Sequence, residues 1–248
     1  MVLIKVENIE VFNFEGAIRG LRNPMNSWVR SDSHSCNWEM SEYCDKCGKL
    51  DADNTGVCES DRQFYCIGKN DLDLMKRLFK AGTEHRKYLR QIFVSMDIVA
   101  PLYWWKEFDT YKVGTVANSC STMHKIAAKD FTLDDFSHEH LTGETSGLWV
   151  NADKRDFMCS ALDFCQITCD VLNHYRELYL RTKNTDYWWQ MIQLLPSSYN
   201  QRRTVTMNYE NVFTIIKQRS GHKLDEWNEF VEILKSLPYV KDIAGYEE

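Results

Sequence analysis

The sequence predicts a mixed α/β (α+β) fold, and three observations predict it. Residues 4–14 and 88–101 alternate apolar and polar side chains as strands do. Several other stretches instead place apolar residues every three or four positions, as helices do. Apolar residues make up 44% and charged residues 27% of the 248 positions, the balance of a chain that buries a sizeable core and faces water.

In chain order, the opening alternation reads as a strand, and residues 15–28 read as a short helix ended by Asn23 and Pro24. Residues 31–66 are polar, hold five of the nine cysteines and show no sustained period, so they read as a Cys-rich insert in a single domain spanning 1–248. Periodicity resumes at residues 69–82, where Asn70 or Asp71 is the expected cap, Leu72, Met75, Leu78 and Phe79 share a face, and Gly82 closes the helix. The second strand, Leu89 to Val99, runs up to Pro101, and helical spacing returns over residues 102–112. Residues 113–125 are small and hydroxyl-rich, which suits close approach of backbone to a ligand. The longest helical pattern, 156–182, aligns Ala161, Leu162, Phe164, Cys165, Cys169, Leu172 and Leu178 and is expected to be a central core helix. Three further helices follow around residues 186–195, 208–219 and 223–236, the first stopped by Pro196 and the last by Pro238.

Composition also excludes some roles. A formal net charge of −6 opposes binding to long nucleic acid, which needs a basic face, but leaves room for a single nucleotide held by a few cations. No apolar run approaches the roughly 18 residues of a membrane-spanning helix, and the first residues lack a signal peptide's basic start, so a cytoplasmic protein is expected. An odd number of cysteines then argues for reduced thiols or metal ligands. Cys44 and Cys47 form a Cys-x-x-Cys-Gly turn suited to zinc, and Cys58 and Cys66 are candidates to complete a tetrahedral site, with His34 and Cys36 as spares. The competing reading is a loop with reduced thiols.

Two blocks carry a resemblance. In the first, Glu84 and His85 open a strand that Ala100 and Pro101 end, and Thr110, Tyr111 and Lys112 precede a loop with Asn118, Ser119 and Ser121. In the second, Leu195 and Pro196 are followed by a strand, Asn208, a helix and Arg219. Together these resemble the signature segments of the flavin-dependent thymidylate synthases. The departures are specific: Thr110, Tyr111 and Lys112 stand for that family's Arg-His-Arg, Ser119 for a Glu, Met123 and His124 for Arg-Tyr, Glu210 and Ile192 for arginines. Eight residues, rather than seven, separate Lys112 from Ser121.

The resemblance implies a central, mostly antiparallel sheet with packed helices, and a homotetramer whose sites are shared between subunits. It implies FAD as cofactor, NADPH and methylenetetrahydrofolate as co-substrates, and methylation of a uracil-type pyrimidine nucleotide, dUMP to dTMP. His85, Lys112, Asn118 and Asn208 become flavin-binding candidates, and Ser119, Ser121 and Arg219 substrate-binding candidates. The alternative is a family-fold protein that has lost the chemistry and binds a nucleotide, nucleic acid or protein partner. Lys112 and Lys106 are candidates for the flavin phosphates or the folate tail; lost arginine forks weaken anion binding, with Lys125, Arg202 and Arg203 as candidate compensators.

Structural roles compete at each position. Tyr103, Trp104 and Trp105 are candidates to stack on a ring, or to fill a core. Arg219 at a helix end also complements the helix dipole. Ser119, Cys120 and Ser121 with His124 suggest a nucleophile and base, without the strand-turn-helix elbow that such chemistry uses. Glu226 reads as a first-turn helix charge.

Overall fold

The computed structural model describes residues 3–35, 65–144, 148–152 and 155–246. Its strands are β1 (Lys5–Phe12), β2 (His34–Ser35), β3 (Tyr65–Cys66), β4 (Phe93–Pro101), β5 (Thr115–Ser119), β6 (Leu148–Ala152), β7 (Arg155–Cys159) and β8 (Asn200–Asn208). Its helices are α1 (Phe14–Arg22), α2 (Lys69–Ala81), α3 (Leu102–Phe108), α4 (Thr122–Lys125), α5 (Ala161–Thr182), α6 (Thr185–Leu194), α7 (Tyr209–Arg219), α8 (Asp225–Lys235) and α9 (Val240–Ala244).

The main sheet has four strands in the order β1-β4-β8-β5. Side-chain pairs give its register: Thr206 meets Ser95 at 3.3 Å and Thr204 meets Asp97 at 2.5 Å, so residue numbers rise on one strand as they fall on the other, and β4 and β8 run antiparallel. Asn8 with Asp97, and Phe12 stacked on Phe93, say the same of β1 and β4. The mixed architecture with an antiparallel sheet is therefore as expected. In β4 the alternation works as read: Val94, Met96, Ile98 and Ala100 are buried, and Ser95 and Asp97 face the other way.

The described residues form two compact units, each built from three chain segments: Met1–Ile9, Ser95–Thr206 and Arg219–Phe230 in one; Glu10–Val94, Met207–Gln218 and Val231–Glu248 in the other. The first has an aromatic core of Trp104, Trp105, Phe108, Trp227 and Phe230, and a second cluster of Ile126, Phe131, Phe136, Cys169, Leu172 and Met191. Full burial of Trp104 and Trp105 makes them core residues, not stacking platforms. The other unit buries Phe14, Ile18, Met75, Leu89, Tyr209 and Phe213.

Several local expectations change. Helix α2 starts at Lys69, earlier than a cap at Asn70 or Asp71 allows. Its first amides are instead satisfied from outside, because the Asp32 carboxylate accepts from Asn70 N at 2.9 Å and Asp71 N at 3.1 Å. The Asp71 carboxylate, relieved of capping, gathers a network of donors instead. Fully buried, it accepts from Arg22 Nε, Ser31 Oγ, Ser33 Oγ and the amides of Asp32 and Ser33. Residues 31–33, which composition assigns to the insert, are thereby tied into the fold. At Gly82, φ of 105° closes α2 as expected, in a region that L side chains avoid.

Strand β4 begins at Phe93 rather than Leu89, since Lys87–Gln91 form a 3₁₀ turn. Helix α3 stops at Phe108 rather than continuing to Lys112; the Thr110 hydroxyl donates to the Glu107 carbonyl at 2.7 Å, a local bond that competes with helix propagation. Helix α5 begins at Ala161, where Ser160 caps it and Asp163 reciprocates, because residues 155–159 pair with β6 as a hairpin. Cys169 and Leu172 carry it into the cluster with Ile126, Phe131, Phe136 and Met191. Of its expected apolar face only Cys169 and Leu172 are buried, and Phe164 is 53% exposed.

Candidate functional site

The two resemblance blocks meet in the unit that holds α2 and α7. The turn after Gly82 carries Glu84 and His85, held by His85 N donating to Gly82 O at 3.0 Å, and leaves His85 exposed. The next residue, Arg86, lies over the Phe79 ring at 5.1 Å and places Nη2 2.6 Å from Glu210 Oε1. Glu210 stands two residues after Asn208. Arg86 Nε and Glu210 Oε2 are buried without a partner among the described residues, so the pair is joined by one prong. Asn208 is 7% exposed, and its Oδ1 accepts from Asn211 N at 3.0 Å, capping the first turn of α7. Its amide nitrogen remains a donor.

The other candidates belong to the first unit, the one with the aromatic core. Strand β5 is an edge strand, and Asn118, Ser119, Cys120 and Ser121 are all exposed along it and just beyond it. Cys120 N donates to Arg202 O at 2.9 Å, and Gln201 Nε2 donates to Cys120 O at 3.1 Å, which fixes the end of β5 on β8. The small, hydroxyl-rich stretch thus holds a strand and a one-turn helix. Ser121 Oγ accepts from His124 N at 3.3 Å as the cap of α4. That contact uses the His124 backbone rather than its imidazole, so it is not a nucleophile and base pair. Lys112 is exposed in the turn before β5.

Arg219 makes the densest set of contacts. Its Nη1 lies 2.6 Å from Glu107 Oε2, its Nε donates to Tyr111 Oη at 2.9 Å, and its guanidinium lies 4.5 Å over Trp227. Glu107 Oε2 also accepts from Trp227 Nε1 at 3.0 Å, and His222 Nε2 is 3.6 Å away. Tyr111, which stands within the degraded Arg-His-Arg segment, is thus part of the support for Arg219.

Neighbouring arginines have carboxylates of their own. Arg203 pairs with Asp109 at 2.8 Å and lies 4.3 Å over Trp105; Arg202 pairs with Asp97 at 2.6 Å. Hydrogen bonds from Thr204, Asn8 and Arg202, in that order, hold the Asp97 carboxyl down at about 2. Glu226 is 4% exposed and accepts from the Tyr103 hydroxyl, which also meets Ser137 Oγ at 2.9 Å. Burial first, and then the Glu226 carboxylate, push the Tyr103 hydroxyl well above its ordinary range. Sequence reading missed these partners, because Glu107 and Asp97 lie more than 100 residues from the arginines they bind.

Of the zinc candidates, Cys44, Cys47 and Cys58 lie outside the described residues. Cys66 pairs across the β2–β3 ribbon with His34. Among the described residues no group of three or more His, Cys, Asp or Glu side chains is arranged to hold a metal ion, and no helix is long and apolar enough to cross a membrane.

No protein-family model matches the chain, and no curated protein matches it in sequence. Solved structures do match in fold. Thymidylate synthase X (ThyX) from Helicobacter pylori, crystallised with FAD and dUMP, superposes with a TM-score of 0.60 at 13% identity, covering 97% of this chain and 96% of that one. The UMP/dUMP methylase PolB from Streptomyces cacaoi, bound with 5-Br dUMP, gives a TM-score of 0.54 at 13% identity over 97% and 94% of the two chains. The chain therefore has the fold shared by the flavin-dependent thymidylate synthase ThyX and the UMP/dUMP methylase PolB.

Proposed function

We propose that this chain is a flavoprotein that holds FAD against a uracil-type ring and methylates the ring at C5. The observation that carries this reading is the end-to-end fold match to a protein described with both FAD and dUMP. The side chains at the matched positions fit a flavin chemically. In one unit Lys112 and Asn118 are exposed donors; in the other His85 is an exposed donor, the Asn208 amide keeps a donor edge, and the single-pronged Arg86–Glu210 pair leaves one donor and one acceptor unmet. FAD held by His85, Lys112, Asn118 and Asn208 would supply hydride-transfer chemistry, with NADPH as reductant and methylenetetrahydrofolate as one-carbon donor.

The protein's own part is binding and orientation. Ser119 and Ser121 have hydroxyl protons to donate; Ser121 Oγ already accepts from His124 N at 3.3 Å and keeps its O–H for a ligand. Lys112 offers a flexible positive charge for the flavin's diphosphate. Arg219, locked by Glu107 and Tyr111, is a substrate contact with a preset orientation.

Self-association belongs to the same reading. Candidates on an exposed edge strand suit a site completed by another copy, and Phe164, Ile167 and Val171 form an exposed apolar stripe on α5. A structural zinc on Cys44, Cys47, Cys58 and Cys66 is also proposed, with His34, opposite Cys66, as a further ligand candidate. Metal analysis of the purified protein tests it: one zinc per chain, lost in Cys44→Ser, is expected.

The reading as a whole is tested by the visible spectrum after adding excess FAD and removing unbound dye. Retained flavin bands, weakened in His85→Ala and Lys112→Ala, are expected, with turnover of NADPH in the presence of a uracil compound. A colourless protein would leave a fold used for another ligand, the reading that the lost arginines favour.

A further inference from the structure

Resting on the proposed function, we infer that the uracil compound this chain takes is a neutral pyrimidine nucleoside rather than its 5′-monophosphate. A phosphate monoester carries close to two negative charges near neutral pH, and a site for it needs uncompensated cations, best of all guanidinium forks. Among the described residues, four of the five arginines in the matched blocks are paired with carboxylates, and the fifth, Arg90, donates to the Thr83 carbonyl at 3.0 Å. Arg219 is held by Glu107 at 2.6 Å, Arg203 by Asp109 at 2.8 Å, Arg202 by Asp97 at 2.6 Å and Arg86 by Glu210 at 2.6 Å.

Freeing one of these forks has further consequences. A phosphate that took Arg219 would displace Glu107 Oε2, which also accepts from the indole N–H of Trp227, a fully buried residue. One that took Arg203 would compete with Asp109 and with Gln201 Oε1 at 2.9 Å, while the guanidinium lies 4.3 Å over the Trp105 ring. In each case the displaced carboxylate stays nearby and repels the dianion. Lys106, Lys112 and Lys125 are exposed, but they are hydrated point charges without a guanidinium's fork, and Lys112 is also assigned to the flavin's diphosphate. A uracil ring and a sugar require none of this. They ask for donors and acceptors, which Asn118, Ser119 and Ser121 present along the exposed edge of β5.

Calorimetric titration of the full chain, with and without FAD, against deoxyuridine and dUMP decides the matter. Deoxyuridine is expected to bind, and dUMP to bind no more than about threefold tighter. Glu107→Gln, which keeps an acceptor for Trp227 but removes the negative charge that neutralises Arg219, is expected to improve dUMP binding at least about fivefold relative to deoxyuridine. Asp109→Asn does the same for Arg203 and serves if Glu107→Gln melts early. A larger preference of the native chain for dUMP overturns the inference. So does binding of neither compound; if FAD is then still retained, the flavoprotein reading survives, and if it is not, both fall.

Discussion

Arg219 and Glu107 meet at 2.6 Å across 112 residues of chain, with the guanidinium resting on Trp227. The fold is shared with ThyX at 13% identity, while Arg202, Arg203 and Arg219 are each paired with a carboxylate of the same chain. That relationship separates what the fold implies from what this sequence does with it.

The buried Arg22–Asp71 pair should dominate the stability of the unit that contains it. Its side chains are 6% and 0% exposed, and removing one partner of such a pair costs about 3–5 kcal/mol. Asp71→Ala is expected to lower the melting midpoint by roughly 10 °C. Arg22→Met should cost less, because Asp71 keeps its bonds from Ser31 and Ser33. Calorimetric melts that rank the two in the opposite order would show that the network does not converge on Asp71.

Acid should weaken the sheet through Asp97. Its folded value of about 2 lies below the ordinary 3.8, so its contribution is complete above that ordinary value and is lost as pH falls from 3.8 towards 2. In Asp97→Asn the melting midpoint should therefore fall less steeply than in the native chain between about pH 4 and pH 2. Parallel slopes would mean that the Thr204, Asn8 and Arg202 bonds do not hold in solution.

Thiol reactivity should divide along burial. Cys120 is exposed, whereas Cys159 and Cys169 are buried, and burial pushes the Cys169 thiol up to about 11. Brief treatment with iodoacetamide at neutral pH, read by peptide mass spectrometry, should label Cys120 and spare Cys169 until denaturant is added. Equal labelling would contradict the packing of α5 against Ile126, Phe131 and Met191.

Assembly should depend on α5. Phe164, Ile167 and Val171 lie three and four residues apart and are 53%, 37% and 38% exposed, an apolar stripe that a second copy is proposed to cover. Sedimentation velocity should find an oligomer that Phe164→Glu with Val171→Glu converts to smaller species. A native chain that sediments as a monomer would remove the proposal.

Local pattern was legible wherever the physics is local. The apolar spacing from Leu72 to Phe79 and the closure at Gly82 specify α2, because helix geometry brings residues three and four apart onto one face. The alternation through Met96 and Ile98 specifies β4 in the same way. Where two local signals competed, the outcome shifted: residues 155–159 continue the helical spacing of α5 but gain hydrogen bonds by pairing with β6. Periodicity also named the wrong burial for Phe164, since spacing shows that a face is apolar but not what covers it.

By itself, then, the sequence determined the α/β class, strands β1 and β4, most of the longer helices, and the two blocks whose resemblance pointed to this fold and to β8. Only the tertiary structure decided that Asp32 rather than Asn70 serves the start of α2, that Tyr111 supports Arg219, and that Glu107, Asp109, Asp97 and Glu210 occupy the arginines. The reason is distance along the chain. Helix and strand periods arise between residues a few positions apart, whereas an ion pair between Arg219 and Glu107 depends on two segments being brought together, and no spacing in either one records its partner.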